Sequence, residues 1–198
     1  MLKSTTYQDR LRTNTKDNPR VDKLVLSVAQ YLNLTTQEPL YPFGFGLSFT
    51  QWEYSELQVL KPAAADDDAA AAAAAAVGVC EAVRVSVKLS NTGSVNGSEV
   101  VQMYVKNEQP HFPAARWSLA GFERVDLAAG GTQTVVLTLT ALARAEVREQ
   151  DYERVVLPSS YSIFVGGGQP QQKPERTTSN VLMAALDTTG VETKLTDC

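Results

Sequence analysis

Val83, Val85, Val87 and Leu89 alternate without a break with Arg84, Ser86, Lys88 and Ser90. A period of two puts four branched side chains on one face of an extended segment and four polar ones on the other, which a helix cannot do. The segment therefore reads as a β-strand with one face buried and one wet, the pattern of an antiparallel sheet. Asn91-Thr92-Gly93-Ser94 and Asn96-Gly97-Ser98 follow with turn chemistry, and Val100 to Lys106 returns as a second strand containing Val101, Met103 and Val105. The rhythm recurs downstream. Leu119, Phe122, Val125 and Leu127 precede the turn Ala129-Gly130-Gly131, Val135, Leu137 and Leu139 alternate with Val136, Thr138 and Thr140, and Tyr161, Ile163 and Val165 run into Gly166-Gly167-Gly168. Upstream, Phe49 to Leu60 is rich in aromatic and branched residues and is stopped by Pro62. About seven short strands, with turns roughly every 8 to 12 residues, predict an all-β, two-sheet antiparallel sandwich of immunoglobulin type. The Cys-Trp-Cys signature of antibody domains is absent.

Two stretches fall outside this pattern. Asn18 can cap a helix, Pro19 suits its first turn, and Val21, Leu24, Val25, Val28, Ala29 and Leu32 recur at helical spacing, so an N-terminal extension over 1–38 is expected to carry an amphipathic helix over 19–32. Residues 61–79 hold Asp66-Asp67-Asp68 and an unbroken alanine run from Ala69 to Ala76, read as a loop insertion after the first strand. Between them, Pro39 to Thr50 mixes prolines, glycines and aromatic rings, which bends the backbone at set points and leaves large rings to find a surface. The sandwich domain is placed at 39–168, and a polar tail over 169–198 offers an edge strand over 181–186.

A chain of 198 residues with 43% hydrophobic content can bury one sizeable core plus appendages. The net charge of -4 gives no electrostatic basis for tracking nucleic acid or an anionic membrane. No apolar run approaches the roughly 20 residues needed to cross a bilayer, and Met1 to Asn18 lacks the apolar core of a signal peptide. Cys80 and Cys198 form neither a disulfide framework nor a metal-ligand spacing; they could pair, but nothing in the sequence asks for it. Two N-x-S/T acceptors, at Asn33 and Asn96, matter only in a secreted protein.

Five blocks carry a resemblance. They are Leu40-Tyr41-Pro42-Phe43-Gly44-Phe45-Gly46-Leu47-Ser48-Phe49-Thr50, Leu89-Ser90-Asn91-Thr92-Gly93, Glu99-Val100-Val101-Gln102-Met103-Tyr104-Val105, Leu119-Ala120-Gly121-Phe122-Glu123-Arg124-Val125 and Tyr161-Ser162-Ile163-Phe164-Val165-Gly166-Gly167. In this order they resemble the fibronectin type III-like domain that closes many glycoside hydrolase family 3 enzymes, the β-glucosidases and β-xylosidases. The resemblance implies a non-catalytic C-terminal module that supports catalytic domains, with Tyr41, Phe43 and Phe45 packing against a neighbouring domain. It also implies a parent enzyme that is secreted or associated with the cell wall. The helix-like segment before Pro39 and the alanine-aspartate tract depart from the family pattern.

Retaining glycoside hydrolysis needs a carboxylate nucleophile and a carboxylic acid about 5 to 5.5 Å apart. In the resembled family these sit in domains that precede this region. The carboxylates visible here, Glu99, Glu123, Asp126, Glu146, Glu149, Asp151 and Glu153, fall at strand ends or in the charged stretch 141–153, where solvated surface is the ordinary role. No catalytic residue, cofactor or metal ligand is assigned. His111, the only histidine, reads as an exposed loop residue. Trp117 and Phe112, with Trp52, could form a stacking platform for a β-linked oligosaccharide, although packing explains such rings equally well. The rival readings are thus a free-standing carbohydrate- or protein-binding sandwich, or a truncated gene product.

Overall fold

A computed structural model describes residues 46–60, 76–112, 114–170 and 179–198. The helix expected over 19–32, the rings of Tyr41, Phe43 and Phe45, and the alanine-aspartate tract as far as residue 75 lie outside the described residues.

The strict alternation becomes strand β3 (Val83–Asn91), which buries every odd-numbered residue and leaves the even ones half-exposed. It forms the middle of a three-stranded antiparallel sheet, between β1 (Trp52–Leu60) and β6 (Thr132–Leu139). A five-stranded sheet faces it, in the order β2 (Val77–Gly78), β10 (Val181–Thr189), β9 (Ser160–Gly166), β4 (Gly97–Asn107) and β5 (Ser118–Leu127). Among the described residues, seven strands are seven residues or longer, and these make the sandwich. The first, second and fifth of them form one sheet. The remaining four form the other, so the fourth strand pairs with the third instead of joining the first sheet.

Between the sheets lie Val85, Val87 and Leu89 of β3, Leu137 and Leu139 of β6, Val101 and Met103 of β4, and Ile163 and Val165 of β9. The charged stretch after β6 is more ordered than its composition suggests. It forms a single helical turn, α1 (Ala141–Arg144), capped by Thr140, and then β7 (Glu146–Val147), which pairs with β8 (Arg154–Val156) and through it with β11 (Thr193–Lys194). The strand beginning at Val181 runs to Thr189 and pairs antiparallel with β9, while Thr188 and Thr189 pair parallel with Val77 and Gly78.

Two side-chain amide networks and one covalent bond tie these layers together. Asn91, 1% exposed at the end of β3, accepts from the Thr50 hydroxyl at 2.5 Å and from Gly93 N–H at 3.1 Å through Oδ1. Its Nδ2 donates to the carbonyls of Val95 and Leu127, and its main chain bonds Gly130 and Gly131, so one side chain joins the entry of β1 to two turns. Gly93 is required there, because a Cβ would lie 2.2 Å from Thr50 Oγ1. Asn180 binds the main chain of Tyr54 in both directions, accepting from its N–H at 2.7 Å and donating to its carbonyl at 2.8 Å, as a strand neighbour would. This occurs beside the irregularity in β1 between Ser55 and Gln58, where Glu56 adopts φ 53, a left-handed conformation uncommon for a residue with a Cβ. Finally, Cys80 and Cys198 form a disulfide across 118 positions, a pairing the spacing alone left open.

Candidate functional site

The loop from Glu108 to Trp117, between β4 and β5, holds three of the residues singled out by their chemistry. A single carboxylate shapes its first half. Glu146 of β7 is buried, and its Oε2 accepts the N–H groups of His111 and Phe112, each at 3.0 Å. Its Oε1 accepts from the side-chain amide of Asn107. Sequence reasoning assigned Glu146 to solvated surface; the structure buries it, because three donors replace the water it loses. The consequence is testable: Glu146→Ala removes the acceptor for two loop amides, and His111 and Phe112 N–H are expected to exchange with deuterium roughly tenfold faster or more, as read by NMR.

His111 is exposed, as expected, and Phe112 is half-buried. Trp117, by contrast, is only 8% exposed: it packs with Tyr104 and Phe164 on the outward face of the five-stranded sheet. The Arg116 guanidinium lies 4.4 Å from the centroid of the Trp117 ring, so one face of the indole already holds a cation. Trp52 belongs to the main core. Trp117 and Phe112 therefore bracket one loop, but the structure does not present them as a flat exposed pair.

Below the loop is a cavity of about 210 Å³ lined by Asn107, Arg144, Glu146 and Tyr161 among others. Arg144 is buried, with Nε donating to the Thr140 carbonyl at 3.4 Å and Nη2 donating to the Glu81 carbonyl. Burial lowers the proton affinity of its guanidinium. The same burial raises the pKa of the Tyr161 phenol. The polar groups of this cavity are largely occupied in holding α1, β7 and the loop to one another.

A second carboxylate, half-buried, lies at the opposite end of β4. Glu99 Oε1 accepts from the Tyr54 hydroxyl at 3.0 Å, and Gly167 leaves space for it, since a Cβ there would stand 2.1 Å from that oxygen. Burial pushes the Glu99 carboxyl above its ordinary range, with the Tyr54 hydrogen bond pulling the other way. Burial and the Glu99 charge together raise the Tyr54 phenol. A raised carboxyl pKa means that the folded state holds its proton more tightly than the unfolded state. Glu99 therefore favours folding most at low pH, and that contribution is lost as pH rises from the unfolded carboxyl value through the raised one. Glu108 and Asp151, held below their ordinary ranges chiefly by Lys106 and Arg148, act with the opposite sign as their unfolded forms ionise, so the Glu99 contribution is read as the difference between wild type and Glu99→Gln. Chemical denaturation of Glu99→Gln as a function of pH is expected to lack this decline.

These two carboxylates cannot act as a pair. Glu146 is bonded to Asn107, eight strand residues beyond Glu99, which is roughly 26 Å at about 3.3 Å per residue. Among the described residues no group of three or more His, Cys, Asp or Glu side chains could hold a metal ion, and no helix is long and apolar enough to cross a membrane.

The end of the sandwich where the chain enters is different in character. Thr50 is buried against Asn91, but the residues just before it are not: Leu47 is 95% exposed and Phe49 is 99% exposed. Two large apolar side chains, two positions apart, are thus fully exposed at this end.

Comparison with known proteins agrees with this fold. Residues 99–169 match the model of the fibronectin type III-like domain. The chain is 35% identical to a β-xylosidase of Formosa agariphila over 147 residues, which is 74% of this chain and 18% of that protein. It is 34% identical to thermostable β-glucosidase B of Acetivibrio thermocellus, covering 69% of this chain and 16% of that protein. Among solved structures, the β-glucosidase of Listeria innocua in complex with glucose superimposes with a TM-score of 0.60 at 26% identity, over 78% of this chain and 18% of that one. The chain thus spans less than one fifth of the length of the curated relatives that it matches.

Proposed function

We propose, for a chain that carries a fibronectin type III-like domain shared with β-glucosidases and β-xylosidases, that this domain serves as the non-catalytic supporting module of a family 3 glycoside hydrolase. The observation that carries this reading is the extent of the match: the similarity fills most of this chain and under one fifth of each enzyme. The chemistry agrees with it. The carboxylates of Glu99 and Glu146 stand at opposite ends of β4, each committed to its own donors, whereas a retaining pair needs about 5 to 5.5 Å. The partner on this reading is the catalytic body of a glycosidase, and the role of the module is to stabilise that body. The Cys80–Cys198 disulfide fits an enzyme that works in an oxidising compartment.

A domain exchange tests the proposal. The matched segment of the thermostable β-glucosidase is replaced by the corresponding segment of this chain, and the chimera is compared with the same enzyme lacking the segment. The chimera is expected to hydrolyse an aryl β-glucoside and to outlast the truncated enzyme on heating. A chimera no better than the truncated enzyme overturns the reading.

A further inference from the structure

The two outward faces of the sandwich differ in chemistry. On the three-stranded sheet, the side chains pointing away from the core are mostly polar along β3 and its partner β6: Arg84, Ser86 and Lys88 lie opposite Thr138, Val136 and Thr134, with Val136 the one apolar side chain of the six. That is the ordinary composition of a face in contact with water. On the five-stranded sheet, cross-strand pairing sets Leu119, Tyr104, Phe164 and Met183 in one row running across β5, β4, β9 and β10. The adjacent row holds Phe122, Gln102, Gly166 and Val181. Tyr104, Phe164 and Trp117 are buried in this layer, yet Phe122 is 67% exposed, Met183 66% and Leu119 46%. Apolar side chains clustered on one outward face, opposite a polar one, indicate a surface that another body covers.

We infer that this face, centred on Leu119 and Phe122, is where the catalytic body of the glycosidase packs against the module; the inference rests on the supporting role proposed above. Two observations select that occupant. More than four fifths of each matched enzyme lies outside the matched segment, so a module of this kind sits beside a much larger body of the same chain. The face also reaches the end of the sandwich at which the chain enters. Val100 is exposed on the outward side of β4, three residues after Gly97, where a Cβ would lie 3.0 Å from Thr50 Cγ2. Gly97 and Val100 point to opposite sides of β4, so Leu47 and Phe49 enter at the same end of the strand as this face, and a body joined through them stands beside that end.

The test places Leu119→Asp with Phe122→Asp in the chimera, and Ser86→Asp with Thr134→Asp, on the polar face, as the control. The first pair is expected to shorten the half-life of hydrolase activity on heating by about tenfold or more, and the control to leave it within about twofold. The same pairs in the 198-residue chain are expected to shift its own melting temperature by less than about 2 °C, because the altered side chains are exposed or, at Ser86, half-exposed on an outward face. Equal losses from both pairs, or no loss from the first, overturn the inference while an active, stabilised chimera leaves the supporting role intact. If the 198-residue chain sediments as a dimer that Phe122→Asp dissociates and the chimera is insensitive, the face is a self-association surface and the inference is again overturned. A chimera that fails before any substitution removes the supporting role and the inference with it.

Discussion

Reducing the Cys80–Cys198 disulfide, or replacing Cys198 by serine, is expected to lower the free energy of unfolding by about 4 kcal/mol. The bond closes a loop across 118 positions, and the chain-entropy relation for a loop of that size gives about 4 to 5 kcal/mol as the restriction lifted from the unfolded chain. The local setting reinforces this. Gly78 pairs with Thr189, and the Val79 N–H donates to the Thr189 carbonyl, so the disulfide holds together two segments that otherwise share a two-residue parallel pairing. Urea titration with and without reductant reads the effect directly. The loss is also expected to appear locally, as faster hydrogen exchange in β11 and the end of β10 than in β3. A change below about 1 kcal/mol shows that pairing within the folded domain already restricts the tail as strongly as the covalent bond does.

Asn91→Ala is expected to cost about 3 kcal/mol by the same titration. The substitution leaves four groups unpaired in or near the core: the Thr50 hydroxyl, the Gly93 N–H, and the carbonyls of Val95 and Leu127. Each buried group so abandoned costs on the order of 1 kcal/mol or more, with water reaching the outer ones and reducing the sum. Asn91→Asp separates the two halves of the network, since it keeps the acceptor for Gly93 and loses both donations. It is expected to fall between wild type and Asn91→Ala. Because Asn91 anchors Thr50, the alanine variant should also free the segment carrying Leu47 and Phe49, seen as increased proteolysis there.

The sandwich was legible because its strands obey a period of two. Val83 to Leu89 could be nothing else, and the alternation of Val135, Leu137 and Leu139 marked its partner in the same way. The turn chemistry of Asn91-Thr92-Gly93-Ser94 was equally plain, but it disclosed only that the chain turns. That Asn91 is also buried and bonded to Thr50, 41 residues earlier, depends on the two segments meeting in space. Similar reasons hid Asn180, whose amide substitutes for a strand neighbour of Tyr54 across 126 residues.

The same limit explains the carboxylates. Composition places Glu99 and Glu146 on a wet surface, and for most such residues that is correct. Glu146 is buried and Glu99 half-buried because the His111 and Phe112 amides in the first case, and Tyr54 in the second, are brought to them by tertiary structure. Trp117 looked available for stacking because it lies near a polar loop. It is buried because that loop folds back over the outward face of β4, where Tyr104 and Phe164 receive it. The alternation rule assumes that one face of a strand is wet, and along Val101 to Val105 of β4 both faces are covered. The exposed row containing Leu119 and Phe122 was visible in sequence as strand residues; its grouping on one outward face required the register.

The claim that this chain supports catalysis without performing it is tested most directly by assaying the 198-residue chain itself on aryl β-glucosides and β-xylosides, beside the chimera carrying Glu99→Gln and Glu146→Gln. The account predicts no hydrolysis by the chain alone, and a chimera whose kcat stays within about twofold of the unsubstituted one while its thermal half-life shortens. Hydrolysis by the 198-residue chain that disappears with either substitution contradicts it.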